Sequence, residues 1–390
     1  MRVRDEGNAS LQSISEEPLV WRHHMSRLTE QFENPEDARL LLGRITELAR
    51  ASGRDKIQFM EVCGTHTVAI FRYGIRQLIP NNIRLLSGPG CPVCVTPNPS
   101  IDEFIELARK PRVIATVFGD MMRVPGTRSS LESEKARGAD VRMVYSSLDA
   151  VKIARENSDK LIVFFAVGFE TTAPTIAATL LAAEKEGVEN FFILPANKLI
   201  PPAISAVLDT EGLALDGLIC PGHVSAIIGS NAYEFVASTY GVAAVVAGFQ
   251  STDILHSIYL LLSQVVEGSP RVQTQYSRLV GEEGNPAALK AMYDVFEPCD
   301  SAWRGLGTIP MSGLKLRSEF SKFDISGKFE ITVTDSREPE GCLCGEVLRG
   351  KAEPEDCPLF ATACTPEEPV GACMVTTEGT CQAHYQFRES

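Results

Sequence analysis

The sequence predicts an α/β protein in which two parallel-sheet domains precede a loop-rich C-terminal domain. From Ile57 to residue 248, short apolar runs rich in β-branched residues recur, and each ends in a turn with glycine or proline before a helical stretch. Such runs are typical of strands buried on both faces, and their alternation with helices predicts parallel pairing. Past Tyr276 the alternation stops. Six of the eleven cysteines then fall between Cys342 and Cys381.

The chain begins with a polar, weakly patterned stretch over residues 1–33, which we interpret as an N-terminal extension. Asn34 and Pro35 are typical of an N-cap and a first helical turn, and apolar residues then repeat at helical spacing. The first ordered helix is therefore expected to start there.

Eight apolar runs are the predicted strands: IQFMEV, IRLLSG, RVIATVF, VRMVYS, LIVFFAVGF, NFFIL, LDGLIC and VAAVVAG. We expect two α/β domains, over residues 34–150 and 151–295, linked by a helix from Asp149 to Asn157. Residues 296–390 are the expected cysteine-rich domain, whose many loops require a cross-link or a metal.

Composition excludes several classes of function. Fifty acidic residues against thirty-seven basic ones give a net charge of −13, which repels nucleic acid and anionic lipid. The sequence has no apolar run long enough for a membrane span and no hydrophobic leader near its start, so we expect a cytoplasmic protein. Disulfides are rare in a reducing cytosol, and eleven is an odd number of cysteines, so metal binding or redox chemistry is the leading explanation.

The first predicted strand runs directly into Cys63, which is followed by an apparent helix that includes His66. A thiol at a helix N-terminus feels the positive end of the helix dipole, which is expected to lower its pKa. Such a thiol can attack or bind a metal. Cys63 is the strongest single candidate for a functional residue, whereas an isolated cysteine would by default merely pack.

Cys91 and Cys94 form a C-x-x-C pair in the turn after the second strand, at the edge where Cys63 is expected. Such a pair either cycles between dithiol and disulfide or supplies half of a metal site. With Cys63 and His66 it could instead bind structural zinc, since twenty-four residues join the C-x-x-H and C-x-x-C pairs.

Three further strand ends combine glycine with polar residues and could line the same cleft: Asp120 with Arg123, Glu170 with Thr171, and His223. Each also suits an ordinary turn or helix cap. Neither the P-loop pattern nor the dinucleotide fingerprint occurs, which argues against an ATPase or a dehydrogenase.

In the tail, gaps of fourteen, six and sixteen residues separate four cysteines: Cys342, Cys357, Cys364 and Cys381. Zinc sites usually contain C-x-x-C pairs, and wide gaps suit an iron–sulfur cluster held by four thiolates. Cys344 and Cys373 are extra thiols that could stand beside such a cluster.

Together these motifs resemble the HypD family of hydrogenase maturation proteins, from residue 57 to the C-terminus. The resemblance rests on these segments: MEVCGTHT, GPGCPVCVTP, FGDMMRVPG, VGFETTAP, PGHVSAIIG, WRGLG and CTPEEPVGACMVTTEGTC.

The resemblance implies a scaffold that carries iron, together with a small HypC-type chaperone, while cyanide and carbon monoxide are added for nickel–iron hydrogenases. HypE with HypF would deliver the cyanide. Cys63 would bind the Fe(CN)2CO unit beside His66, and Cys91 with Cys94 would be a redox or ligating pair. The four spaced tail cysteines would hold a 4Fe-4S cluster, and Cys344 with Cys373 would form a nearby dithiol.

Two other classes of function fit the residues. The first is an iron–sulfur thiol–disulfide reductase that acts on a protein disulfide through Cys91 and Cys94. The second is a binding module in which zinc holds the upstream cysteines.

Overall fold

Two parallel sheets and one antiparallel hairpin form the framework of the protein. The computed structural model describes residues 34–331, 333 and 335–388, so the expected extension over residues 1–33 lies outside the described residues. All eight predicted strands are present, together with three that the sequence did not indicate. The strands are β1 (Ile57–Glu61), β2 (Ile83–Ser87), β3 (Val113–Val117), β4 (Val141–Met143), β5 (Leu161–Gly168), β6 (Phe191–Asn197), β7 (Gly217–Pro221), β8 (Ala243–Ala247), β9 (Val272–Thr274), β10 (Phe296–Trp303) and β11 (Gly307–Leu316).

The first sheet has the strand order β2-β1-β7-β8-β9, and every neighbouring pair is parallel. Its first two strands and its last three are separated in sequence by more than a hundred residues. Because these strands are parallel, the carboxyl ends of β1, β2, β7 and β8 lie at one edge of the sheet. The predicted reactive turns lie at this edge.

The second sheet has the order β4-β3-β5-β6 and is also parallel throughout. The chain leaves the first sheet after β2, builds this whole sheet, and returns at β7. The expected boundary at residue 150 thus falls inside one sheet, between β4 and β5. The prediction took the helix near residues 149–157 as a link between domains, and that helix, Ser147–Glu156, connects two strands of the same sheet.

The hairpin of β10 and β11 packs on the second sheet. The Leu199 N–H donates to the Ser312 carbonyl over 2.9 Å, and Lys198 forms a bridge with Gly313. Residues 296–316 therefore belong structurally with the second sheet, although the sequence grouped them with the cysteine-rich tail.

Helices cover the faces and edges of both sheets. The N-cap prediction is confirmed, because the Asn34 side chain accepts from the Glu36 N–H over 2.9 Å. The helices are α1 (Pro35–Ala51), α2 (Gly64–Arg72), α3 (Ile75–Leu78), α4 (Pro92–Val95), α5 (Asn98–Ala108), α6 (Leu131–Ala136), α7 (Ser147–Glu156), α8 (Ala173–Lys185), α9 (Ile200–Leu208), α10 (Gly222–Ile228), α11 (Glu234–Ser238), α12 (Ser251–Glu267), α13 (Pro286–Val295), α14 (Cys344–Leu348) and α15 (Thr380–Phe387).

One continuous buried cluster joins the two sheets, the hairpin and the tail. It contains Met60 of the first sheet, Phe165 of the second, Trp303 of the hairpin and Cys373 of the tail. The rings of Phe104 and Phe165 stack with centroids 4.5 Å apart. The loop-rich tail is thus packed into the body of the molecule.

None of the helices in the described ranges has both the length and the apolar character needed to cross a membrane.

Candidate functional site

Cys63 lies in the turn between β1 and α2. It is the N-cap residue of α2, with extended backbone (φ −160°, ψ 122°), and only 8% of its surface is exposed. Burial raises the pKa of its thiol to about 11, against the lowering effect of the His66 and Thr65 N–H groups. The expected lowering of the Cys63 pKa is therefore wrong in direction, because burial outweighs the helix terminus.

His66 follows on the first turn of α2 and is fully buried. Its Nε2 lies 2.9 Å from the Gly248 carbonyl oxygen, so this nitrogen carries a proton and donates it. Burial lowers the pKa of His66 to about 4, which keeps the ring neutral. The ring stacks on Phe249 with centroids 4.7 Å apart, and His223 stacks on the same ring at 4.1 Å. Phe249 thus brings two predicted histidines together.

Cys91 is the N-cap residue of the short helix α4. Its sulfur accepts from the Cys94 N–H over 3.3 Å, and the Cys91 and Cys94 sulfurs are 2.7 Å apart. The exposed fractions are 4% for Cys91 and 0% for Cys94. The pair is therefore a contacting dithiol that large molecules cannot reach.

Glycine lets the Cys63 turn and the Cys91 turn lie backbone against backbone. The Gly64 N–H donates to the Gly90 carbonyl over 3.1 Å. A Cβ atom on Gly90 would lie only 2.1 Å from the Cys63 nitrogen. The two turns share one edge, as expected from neighbouring parallel strands.

The tail closes over this edge through Glu378, a residue that the sequence analysis missed. The Thr65 hydroxyl donates to Glu378 Oε1 over 2.6 Å. The negative charge of Glu378 adds to the burial that raises the pKa of Cys63, whereas burial lowers the pKa of His223 and the Glu378 charge only opposes that effect. A Cβ on Gly64 would lie 2.5 Å from the Glu378 carbonyl oxygen, so this approach also requires glycine.

A row of neighbouring thiols connects the upstream dithiol to the tail. The thiol of Cys94 lies near enough to Cys373 for each to shift the pKa of the other, and the same holds for Cys373 with Cys344 and for Cys344 with Cys342. Burial raises the pKa of Cys94 well above its usual value, and the contact with Cys344, together with burial, does the same for Cys342. All eleven cysteines are free thiols.

The six tail cysteines line one small cavity, together with Leu359, Phe360, Gly371 and Met374. The sulfur of Cys364 accepts from the Val370 N–H over 3.3 Å, and burial raises the Cys364 pKa against the lowering effect of the Gly371 and Val370 N–H groups. Backbone N–H groups directed at a sulfur stabilise its thiolate form. The cavity is therefore walled by sulfur and apolar side chains, with donors aimed at one sulfur.

The spacing of these sulfurs does not fit a single zinc ion. Two ligand sulfurs at ~2.3 Å from a tetrahedral zinc ion lie ~3.8 Å apart. Among the residues that the structure describes, no three cysteine or histidine ligand atoms without a carboxylate lie within 4.8 Å of one another. This applies equally to the upstream set of Cys63, His66, Cys91 and Cys94, and it disfavours the zinc module.

The other predicted site residues lie in different settings. Asp120 is exposed on the turn after β3, while the nearby Arg123 donates to the Pro366 carbonyl of the tail. Glu170 is 1% exposed and accepts from the Ile200 N–H over 2.9 Å, which caps α9. Burial raises its pKa to about 7.

Glu353, Glu355 and His384 form the one described group of three or more potential metal ligands. His384 Nδ1 lies 2.8 Å from Glu355, and Glu353 lies 3.7 Å from Arg76 and 3.4 Å from Arg84. Two guanidinium groups at the shared carboxylate repel a cation. We interpret the group as an ion-pair network that fastens α15 to the first sheet.

Comparison with known proteins identifies the family. The HypD model, described as "Hydrogenase formation hypA family", matches residues 36–388. The chain belongs to the HypD family. It is 45% identical over 369 residues to hydrogenase maturation factor HypD of Rhodobacter capsulatus, which covers 93% of this chain and 98% of that relative. HypD2 of Bradyrhizobium diazoefficiens is 46% identical over 347 residues, covering 87% and 91%. HypD of Escherichia coli is 42% identical over 369 residues, covering 93% and 98%.

The family resemblance expected from the motifs is therefore confirmed, and this HypD-family chain is a hydrogenase maturation factor. Sequence reasoning missed Glu378, Phe249 and Thr65 among the residues around Cys63. Glu378 carried a weak signal, as the one charged residue between Cys373 and Cys381. Phe249 carried none, because its role depends on strands β1 and β8 lying in the same sheet.

Proposed function

We propose that this chain is the scaffold on which the Fe(CN)2CO unit of nickel–iron hydrogenases is assembled, in complex with a HypC-type chaperone. In this proposal HypE with HypF delivers cyanide, the work takes place in the cytoplasm, and the hydrogenase large subunit receives the iron unit later. The observation that carries it is the row of neighbouring thiols that runs from Cys91 and Cys94 to the tail, beside the Cys63 turn.

Cys63 is the proposed ligand of the iron unit, shared with a cysteine of the HypC-type partner. Low-spin iron(II) with cyanide and carbon monoxide is a soft centre, and thiolate is the protein ligand that suits it. Because the free Cys63 thiol is protonated at neutral pH, iron binding must release a proton. His66 stays neutral beside it, and Glu378 is near enough to influence this proton.

A 4Fe-4S cluster would be held by Cys342, Cys357, Cys364 and Cys381. The six sulfurs that line the cavity and the N–H groups aimed at Cys364 suit such a cluster. When bound, it would supply electrons one at a time.

The buried thiols would pass electrons onward by thiol–disulfide exchange. Cys373 attacks Cys94 of a Cys91–Cys94 disulfide, and Cys91 leaves and takes up a proton. Cys344 then attacks Cys373, which frees Cys94. Two electrons and two protons move to the upstream pair, and the tail pair becomes a disulfide. The tail disulfide must then take up two electrons and two protons from a low-potential donor to become a dithiol again.

Infrared spectroscopy of the complex with the HypC-type partner, purified without oxygen, tests the ligand assignment. We expect cyanide and carbonyl stretches in the unchanged chain and their loss in Cys63→Ala. Cys220→Ala is the matched control, because Cys220 is buried at the end of β7 but outside the row of neighbouring thiols. Persistence of the stretches in Cys63→Ala would contradict the proposal.

Iron and sulfide analysis tests the cluster. We expect about four of each per chain, and a large loss in Cys364→Ala but not in the control variant Cys299→Ala. Zinc near one equivalent without sulfide would instead support the zinc module.

The burial of Cys91 and Cys94 disfavours the alternative of a general protein disulfide reductase. A protein disulfide cannot reach sulfurs that are 4% and 0% exposed. Turnover of a protein disulfide by this chain alone, without a HypC-type partner, would favour that alternative.

A further inference from the structure

The tight turn between β10 and β11 carries a buried charge that the proposed function does not use. Trp303 and Arg304 stand at the end of β10 and are 2% and 3% exposed. A buried guanidinium is costly unless its donors are satisfied. Its contacts therefore indicate what it holds in place.

One side of the turn holds the C-terminal end of α4, the helix that carries Cys94. The Arg304 N–H donates to the Val95 carbonyl over 2.9 Å. Its guanidinium donates to the Thr96 carbonyl from Nε (3.2 Å) and from an NH2 group (2.9 Å), and to Asn98 Oδ1 (2.7 Å). The Val95 and Thr96 carbonyls lie at the end of the helix, where the last carbonyls have no partner within the helix itself.

The other side of the turn holds the tail. The guanidinium also pairs with Glu338, and Arg349 donates to the Gly305 carbonyl. Gly305 has φ +77°, and a Cβ on it would lie 2.3 Å from the Cα of Gly345. The turn is therefore pressed against the residue that follows Cys344, and the Arg304 charge lies within electrostatic range of that thiol.

We propose that Arg304 is a positioning residue for exchange between the two thiol pairs. By fixing the end of α4, which carries Cys94, against the start of α14, which carries Cys344, it holds in place the two thiols that neighbour Cys373. The inference rests on the proposed function, in which exchange runs between Cys94 and Cys344 through Cys373. Arg304 acts on the rate of this exchange and leaves the final distribution of disulfides unchanged.

The test follows one disulfide as it moves through the full chain. One equivalent of diamide takes up two electrons and two protons and leaves one disulfide per chain. Samples are alkylated at intervals, and peptide mass spectrometry quantifies the Cys91–Cys94, Cys94–Cys373 and Cys344–Cys373 bonds. In Arg304→Met we expect the redistribution to slow by about tenfold or more, with the same final distribution.

Two further variants distinguish the specific effect of Arg304 from the effect of losing any arginine. Arg304→Lys keeps the charge and can reach one carbonyl, so it should recover part of the rate. Arg109→Met removes an arginine that pairs with Glu134 elsewhere, and it should redistribute at the unchanged rate.

Glu338→Gln keeps the test decisive if Arg304→Met fails to fold. Its side chain is 45% exposed, so the fold should tolerate the change, and the loosened guanidinium should slow exchange by about twofold or more. An unchanged rate in the folded Arg304→Met chain, or in Glu338→Gln where Arg304→Met does not fold, would overturn the inference alone. If no disulfide moves in the unchanged chain, the proposed thiol–disulfide exchange is wrong, and so is the proposed role of Arg304.

Discussion

Replacing Glu170 with glutamine should remove a specific part of the pH dependence of stability. The side chain is 1% exposed, and burial raises its pKa from 4.5 to about 7. The folded chain therefore holds this proton over a pH range in which the unfolded chain has lost it. The stabilisation that this proton contributes is fully present below about pH 4.5 and is lost as the pH rises through about 7.

The size of the effect follows from the two pKa values. The difference between 4.5 and about 7, at about 1.4 kcal/mol per pH unit, amounts to about 3 kcal/mol. The substituted amide oxygen can still accept from the Ile200 N–H, so the cap on α9 is kept. Relative to the unchanged chain, Glu170→Gln should gain about 3 kcal/mol between the two ends of that range.

Urea unfolding at several pH values between the two pKa values measures this difference directly. The same substitution at the exposed Glu211 is the control and should follow the unchanged chain. Glu61 has a similarly raised pKa, so Glu170→Gln should keep part of the slope. If the curves of Glu170→Gln and the unchanged chain run parallel across the range, Glu170 is already ionised in the fold and the reasoning fails.

Three further predictions concern the Cys63 turn. Gly90→Ala should destabilise the chain by about 3 kcal/mol or more in urea unfolding, because the new Cβ would lie 2.1 Å from the Cys63 nitrogen; Gly43→Ala, which has open space, should not destabilise it. Alkylation of Cys63 by iodoacetamide should accelerate about tenfold per pH unit up to its pKa of about 11, and a flat profile would contradict that value. Glu378→Gln should speed this alkylation several-fold by removing a nearby negative charge, whereas Thr65→Val, which leaves the charge, should not.

The strands were predictable because each carries its own signal. Runs such as IQFMEV and LIVFFAVGF are apolar on both faces, and no polar alternation competes with that pattern. The hairpin was not predicted because its first strand, FEPCDSAW, mixes proline, acids and small residues, which is unlike a buried strand. It forms because its two strands pair with each other over one face of the second sheet.

The grouping of the strands could not be predicted from local patterns. β1 pairs with both β2 and β7, and the residues of β7 resemble those of any other buried strand. Which strands pair depends on how the crossover helices pack, and that is a property of the whole chain. The same limit explains why Cys63 and the Cys91 turn were placed together, since β1 and β2 are sequence neighbours, while Phe249 was missed.

The Cys63 pKa shows how a contact with the tail, which the sequence analysis did not predict, changes the chemistry of this thiol. A helix N-terminus contributes ~0.3–1 kcal/mol to an anion at a partly exposed site, which is less than one pKa unit. The rise from 9.0 to about 11 corresponds to roughly 3 kcal/mol in the opposite direction, so burial dominates. That burial involves the tail, because Glu378 and its backbone lie against Gly64 and Thr65. A tail that stayed away would leave Cys63 at an open helix terminus, where the lowered pKa expected from the sequence would apply. The docking of the tail therefore determines whether Cys63 is a reactive thiolate or a protected thiol that ionises only when a metal takes the place of its proton.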